Sequence, residues 1–236
     1  MSETIKLTLA YDGSAYVGWQ IQPNGMSIQQ RLEEALCQLT GSVHQTHSSG
    51  RTDAGVHALG MVCHFTTERV LPLSAWREGV NRLLPEDIAV RSAEKVGADF
   101  HARFSARGKC YRYSLLLDPV RSPLDRQTRW RIQSPLDVER MRAAAAEFVG
   151  CHDFSAFRGA GCAARTTDRE VYAIDFHLNG RHLDLDVSGS GFLRHMVRML
   201  VGTLVQVGRG KRPPEDVASM LKKPGSVPPA VTAPAH

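Results

Sequence analysis

Residues 169–188, REVYAIDFHLNGRHLDLDVS, decide how the rest of the chain is read. Two runs of alternating polar and apolar residues, Arg169–Leu178 and His182–Ser188, flank the pair Asn179-Gly180. Asn-Gly between two such runs is a strong hairpin signal, because both residues tolerate the positive φ of a tight turn. Upstream, Leu136–Val149 predicts a helix, with four alanines in succession that favour helix strongly. Before that, Lys109–Leu117 reads as a strand. After the hairpin, Phe192–Val207 predicts a helix with Phe192, Met196, Met199, Leu200, Thr203 and Leu204 on one stripe. The order is βαββα.

The first half repeats it. Ile5, Leu7 and Leu9 alternate with polar residues as a strand. Ser27 and Gln30 have the spacing of a capping box, and Ile28, Leu32, Ala35, Leu36 and Leu39 mark one helix face. Strands at Val43–Ser48 and Met61–Thr66, a short helix at Leu73–Leu83 and a strand at Ile88–Val96 complete βαββαβ, the split βαβ or ferredoxin-like unit. The fold class is therefore α+β, two ferredoxin-like halves, 1–98 and 99–236, with the groove between them as the natural active-site location. The second half lacks a last strand. From Pro213 onward the sequence predicts a short helix and then a proline-rich tail, PGSVPPAVTAPAH. That leaves a sheet edge unpaired, so either the native chain continues beyond His236 or this tail improvises.

Composition narrows the class. A hydrophobic content of 42% and a charged content of 22% over 236 residues are those of a globular protein with ample core. There is no apolar run long enough for a membrane span and no signal-peptide pattern at MSETIKLTLAY. Cys37, Cys63, Cys110, Cys151 and Cys162 are odd in number and form no C-x-x-C pair. They read as small buried hydrophobes in a reducing cytoplasm rather than as a disulfide or zinc framework. The net charge of +5 is uneven: Arg103, Arg107, Lys109 and Arg112 are interleaved with Phe100, His101, Phe104, Tyr111 and Tyr113. More basic residues cluster at 126–131 and at Arg194 and Arg198. Arginines among aromatics neutralise phosphates and stack bases, so nucleic acid, and looped RNA ahead of duplex DNA, is the expected partner.

The segment SSGRTDAGVH, 48–57, holds Asp53 in a turn bracketed by Gly50 and Gly55, with Arg51 beside it. Glycines there permit positive φ and close approach of a ligand. An acid so placed suits a nucleophile or a general base, and equally a cap on backbone N–H groups. Arg194 and Arg198 fall on one flank of the last predicted long helix, behind Gly189-Ser190-Gly191, a turn able to meet a phosphate.

Six blocks carry a resemblance: YDGSAYVGWQIQP (11–23), SGRTDAGVHA (49–58), NRLLPEDI (81–88), FHARFSARGKCYRY (100–113), CHDFSAFRGAGC (151–162) and GFLRHMVRMLVGTL (191–204). In this order they resemble the tRNA pseudouridine synthase A family, which isomerises uridines at nucleotides 38 to 40 of the tRNA anticodon stem-loop. The resemblance implies a continuous mixed antiparallel sheet with helices on one face around a central basic cleft, a homodimer, and chemistry without cofactor or metal. It implies Asp53 as the catalytic aspartate, Tyr111 as the ring that stacks on the target uracil, and Arg198 as the aspartate's basic partner. Arg51 resembles the residue that fills the space of a flipped base. Phe100, His101, Ala102, Arg103 and Phe104 resemble an RNA-contacting strand, and Gly161, Cys162, Ala163, Ala164 and Arg165 a second RNA-contacting segment. Members of the family run on into a final strand that walls the uracil pocket, whereas this sequence stops at Ala233-Pro234-Ala235-His236.

Two other readings compete. A metal-dependent phosphodiesterase would use His47, Asp53, His57 and His64 as ligands, although a second carboxylate at ligand spacing is lacking. A non-catalytic RNA-binding module would use the same fold without chemistry.

Overall fold

The computed structural model describes residues 2–235. Its elements run β1 (Glu3–Tyr11), α1 (Ile28–Thr40), β2 (His47–Ser48), β3 (Ala58–Thr67), β4 (Ile88–Val96), β5 (Lys109–Leu117), β6 (Trp130–Ile132), α2 (Val138–Ala146), β7 (Gly150–Asp153), β8 (Asp168–Asn179), β9 (His182–Gly189), α3 (Met196–Gly208) and α4 (Glu215–Lys222). They fall into two compact units, one ending at Ala106 and the other spanning Arg107–Pro234. The class is mixed α+β. Among the described residues no helix is long and apolar enough to cross a membrane.

The first unit carries the sheet β2-β3-β1-β4, antiparallel throughout. The second carries β6-β5-β9-β8-β7, antiparallel except for β5 with β6. The pairings thus make two sheets, where the family resemblance implies one continuous sheet. β5, which opens the second unit, pairs with β9 along one edge and with β6 on the other at Leu115–Leu117. β6 also takes part of the edge expected to lie bare. It and β7, three and four residues long, are too short to show a period in the sequence.

In the first unit the two-residue period of β1 sends Ile5, Leu7 and Leu9 to one face. There they meet Ile28, Leu32, Ala35 and Leu36 of α1, with Trp76 and Val80 from a helical segment whose centre, Ala75–Gly79, is a π-helical turn. Ser27 caps α1 by accepting from the backbone N–H of Gln30 at 3.2 Å. The Gln30 side-chain amide nitrogen donates to Glu34 one turn on. The strand expected over Val43–Ser48 shrinks to His47–Ser48. α1 competes for its polar groups: Thr40 Oγ1 bonds His44 Nε2 at 2.9 Å, and Glu33 accepts from both the N–H and the hydroxyl of Thr46.

In the second unit β9 alternates strictly. Leu183, Leu185 and Val187 are fully buried, beneath Met141 and Ala144 of α2, Leu200 and Leu204 of α3, and Val217 of α4. The hairpin before β9 pairs Asn179 with His182, so the loop residues are Gly180 and Arg181. The positive φ falls on Gly180, at 57°, and not on the asparagine. α3 starts at Met196 rather than Phe192, because His195 adopts a left-handed conformation (φ 61°, ψ 2°) that no right-handed helix can contain. Phe192 and Arg194 therefore precede the helix, and Arg194 shares no flank of it with Arg198.

The proline-rich tail is ordered against α3. A Cβ at Gly202 would lie 1.9 Å from the Val231 carbonyl oxygen, so only glycine lets the two backbones meet. Gly202→Ala is expected to lower stability by about 1–3 kcal/mol, as for other overpacked sites, read as a lower urea midpoint. Gly191→Ala, with nothing within 4 Å of its added Cβ, should leave that midpoint unchanged.

Candidate functional site

The loop bearing Asp53 is held by backbone packed on backbone. A Cβ at Gly13 would meet the Val56 carbonyl oxygen at 2.1 Å, and one at Gly18 would meet that of Thr52 at 2.5 Å. Glycine at both positions lets residues 12–19 lie directly against residues 52–56. Hydrogen bonds fix the register: Trp19 N–H donates to the Thr52 carbonyl at 3.1 Å, and Tyr11 Oη and Thr52 Oγ1 are 2.9 Å apart. Gly55 takes the positive φ, 77°. Gly50, expected to share it, does not; its carbonyl instead accepts from the Ser48 hydroxyl at 2.7 Å. Thr52 is buried, Asp53 half-buried and Arg51 exposed. A carboxylate thus stands on a rigid turn, which suits a group that must not move during chemistry.

Residues 100–104, expected as a strand, form a turn closed by Ser105 N–H on the His101 carbonyl at 2.8 Å. The turn docks on β3 through Ala102 N–H, which donates to His64 Nδ1 at 3.2 Å. His64 gathers rings around it: His101 at 4.7 Å, His47 at 5.3 Å and Phe100 at 5.7 Å. Phe104, 77% exposed, packs on His101 at 4.4 Å with the Arg103 guanidinium 5.7 Å from its ring centre. Ala102 is buried in the docking contact. Among the described residues no three His, Cys, Asp or Glu side chains group as metal ligands. His57 is engaged elsewhere, its Nδ1 3.0 Å from Asp12.

In the second unit Tyr111 is half-buried on β5, edge-on to Phe192 at 5.3 Å and 89°. Arg198 lies in the first turn of α3. Its Nε donates to the Ala233 carbonyl at 2.8 Å, and the Ala233 N–H donates back to the Arg198 carbonyl at 3.0 Å. One residue on, the Pro234 carbonyl accepts from the Tyr113 hydroxyl at 2.9 Å. Burial pushes that phenol's pKa up, against the pull of Arg198, so it stays a donor. The tail thus sets the plane of the guanidinium. The sequence places Phe192 on a helical stripe and leaves the tail without a partner, so neither role is visible in it.

Gly161–Arg165 lie in a loop outside the regular elements, with Gly161 at φ 72°. Arg194 donates to the Ala160 carbonyl at 3.0 Å, and Arg158 donates to those of Cys162 and Ala164. Burial opposes ionisation of the Cys162 thiol, but N–H groups of Arg194 and Ala164 and the Arg158 charge outweigh it and lower its pKa.

At Arg112 the expected ribbon of arginines among aromatics is split between the two faces of the sheet. Alternation along β5 puts Tyr111 and Tyr113 on the core side and Arg112 on the other. There Arg112 makes a two-pronged bond to Asp186, 2.7 Å in each arm, and Arg129 bonds Asp184 at 2.7 Å. The carboxyl of Asp186 is held below the usual range by the Arg112 hydrogen bond. These cations are already neutralised.

The sequence pattern described as tRNA pseudouridine synthase matches residues 8–105 and 144–236. The chain belongs to the tRNA pseudouridine synthase family. It is 57% identical over 232 residues to the tRNA pseudouridine synthase A of Syntrophotalea carbinolica, covering 98% of this chain and 92% of that one. It is 57% identical over 218 residues to that of Geobacter sp. strain M21 (92% and 88% covered) and 51% identical over 218 to that of Myxococcus xanthus (92% and 82% covered).

His64 supplies a pH test. Burial, then the neighbouring His101 and His47, lower its pKa in the folded state. The folded protein therefore binds fewer protons at this site than the unfolded chain. Its contribution to stability is present above the unfolded value of about 6.5 and is lost as pH falls. The melting temperature should drop between about pH 7.5 and 5.5, and drop less in His64→Gln, which keeps an acceptor for Ala102 N–H.

Proposed function

We propose that this chain is a tRNA pseudouridine synthase that converts uridine to pseudouridine in the anticodon stem-loop, at nucleotides 38 to 40, with Asp53 as its catalytic carboxylate. The observation that carries this reading is the Asp53 turn, held rigid by Gly13 and Gly18, in a chain whose family and relatives act, by name, as tRNA pseudouridine synthases. The reaction is an isomerisation: the N1–C1′ bond breaks, uracil turns, C5 bonds to C1′, C5 loses its proton and N1 gains one. No electrons leave the substrate, so the chemistry asks for no redox group. A fixed carboxylate contributes either by attacking C1′ or by taking a proton from the sugar. Tyr111, steadied by Phe192, offers a face for the uracil. Arg198, oriented by Ala233, is the cation for the aspartate, and Arg51, exposed on the same turn as Asp53, fills the space of the flipped nucleotide. Phe100–Phe104 and Gly161–Arg165 complete the RNA contacts. In this reading each half is ferredoxin-like, and the strand order β2-β3-β1-β4 supports it for the first. A homodimer in a reducing cytoplasm belongs to the same reading, with five free cysteines in its favour.

Asp53→Asn keeps the shape of the turn and removes its charge. Tritium release from tRNA carrying 5-³H-uridine should fall by several orders of magnitude while tRNA affinity changes little, because affinity rests on many phosphate contacts. Release within tenfold of the parent enzyme would falsify the assignment. Arg198→Met should slow the same reaction by about tenfold or more while tRNA affinity changes little, since it removes one cation among many phosphate contacts. An unchanged rate would deny Arg198 that role.

A further inference from the structure

Cations that form no ion pair among the described residues gather at the far end of α3, with Asp118 the one acid whose charge reaches Arg131. Arg209 and Lys211, which follow the helix, and Arg131 of β6 line an open concavity of about 460 Å³ with Gln133, Ser134 and Pro135. Arg140 of α2 lies alongside, its Nη1 4.0 Å from where a Cβ on Gly210 would sit. The neighbouring acids are committed: Asp137 caps α2 on the Arg140 N–H, Glu139 pairs with Arg142, and Asp118 bonds Arg181 and the Val120 N–H. Two of the cations are also fixed in place. The Arg209 guanidinium lies 5.9 Å from the Trp130 ring centre, and its Nε is buried with no acceptor among the described residues. Arg131 is steadied by donating to the Pro119 carbonyl at 3.0 Å. The C-terminal carbonyls of α3, which would repel an anion, are covered: those of Val205, Gln206 and Val207 accept from the N–H groups of Arg209, Lys211 and Gly210.

We propose that this concavity holds backbone phosphates of the tRNA. Charge without an exposed aromatic face selects phosphate rather than base, and guanidinium forks with neutral amide and hydroxyl donors match phosphate oxygens. Arg198 and Arg209 are eleven residues apart, about three helical turns. They therefore lie on the same side of α3, separated by about 16 Å along its axis. The contact is thus remote from Arg198, and it positions the RNA without reading its sequence. This inference rests on tRNA being the substrate, and not on which nucleotide reacts or on Asp53.

The test is equilibrium binding of tRNA, without turnover, by Arg131→Ala/Lys211→Ala across about 50 to 200 mM salt. Affinity should fall roughly tenfold at low salt, and the plot of log K against log salt should become shallower by about 1 to 2. In turnover, KM should rise with kcat unchanged, and Arg131→Lys/Lys211→Arg should restore binding. Should the double variant fail to fold, Lys211→Glu, a change at an exposed position, is to show the same direction of change. Unchanged affinity and slope would overturn the proposal. So would an equal effect from Arg69→Ala/Arg91→Ala, since a general loss of positive charge would then account for it.

Discussion

The two-residue period of the β-strand is the constraint on which the second unit depends. β9 turns Leu183, Leu185 and Val187 toward three helices, and the same geometry forces Asp184 and Asp186 to the opposite face. Once those carboxylates stand on β9, the arginines beside them, Arg112 and Arg129, become part of the sheet. A single alternation thus builds a core on one side and removes positive charge from the other. What remains for an RNA is charge displaced to the loops and helix ends, where no acidic strand can reach it.

In the first unit the governing contact is backbone against backbone. Hydrogen bonds and glycine, rather than side-chain packing, hold residues 52–56 to residues 12–19. Such a junction is stiff, because it has no rotamers to change. It also couples two stretches that are separated in sequence by the whole of α1. A substitution at Gly13 or Gly18 therefore acts on the Asp53 turn without touching Asp53.

The long strands and α1 were legible because their periods run over many residues, as in Ile5, Leu7 and Leu9 or Leu183, Leu185 and Val187. β6 and β7 were not, since three or four residues carry no period. The expected start of the last long helix failed at His195, a residue whose left-handed backbone conformation has no local signature. The division of the basic stretch between two faces was hidden for a different reason. Composition along Phe100–Tyr113 records which residues are present, but a strand sends neighbours to opposite faces, and the partners on β9 lie more than seventy positions away. The Asp53 turn was legible as a turn, whereas its support by Gly13 and Gly18 is a contact between distant segments that no local pattern announces.

The clasp between Ala233 and Arg198 has a consequence in time. Tyr113 and the Pro234 carbonyl it bonds are 121 residues apart, and synthesis proceeds at about 5–20 residues per second. All nine strands and α3 leave the ribosome before residues 231–234 do. The guanidinium of Arg198 is therefore made well before the carbonyl that orients it, and Ala233, fully buried in the second core, arrives together with that carbonyl. Completing that core and setting this arginine are thus a single event, and both wait on residues 231–234.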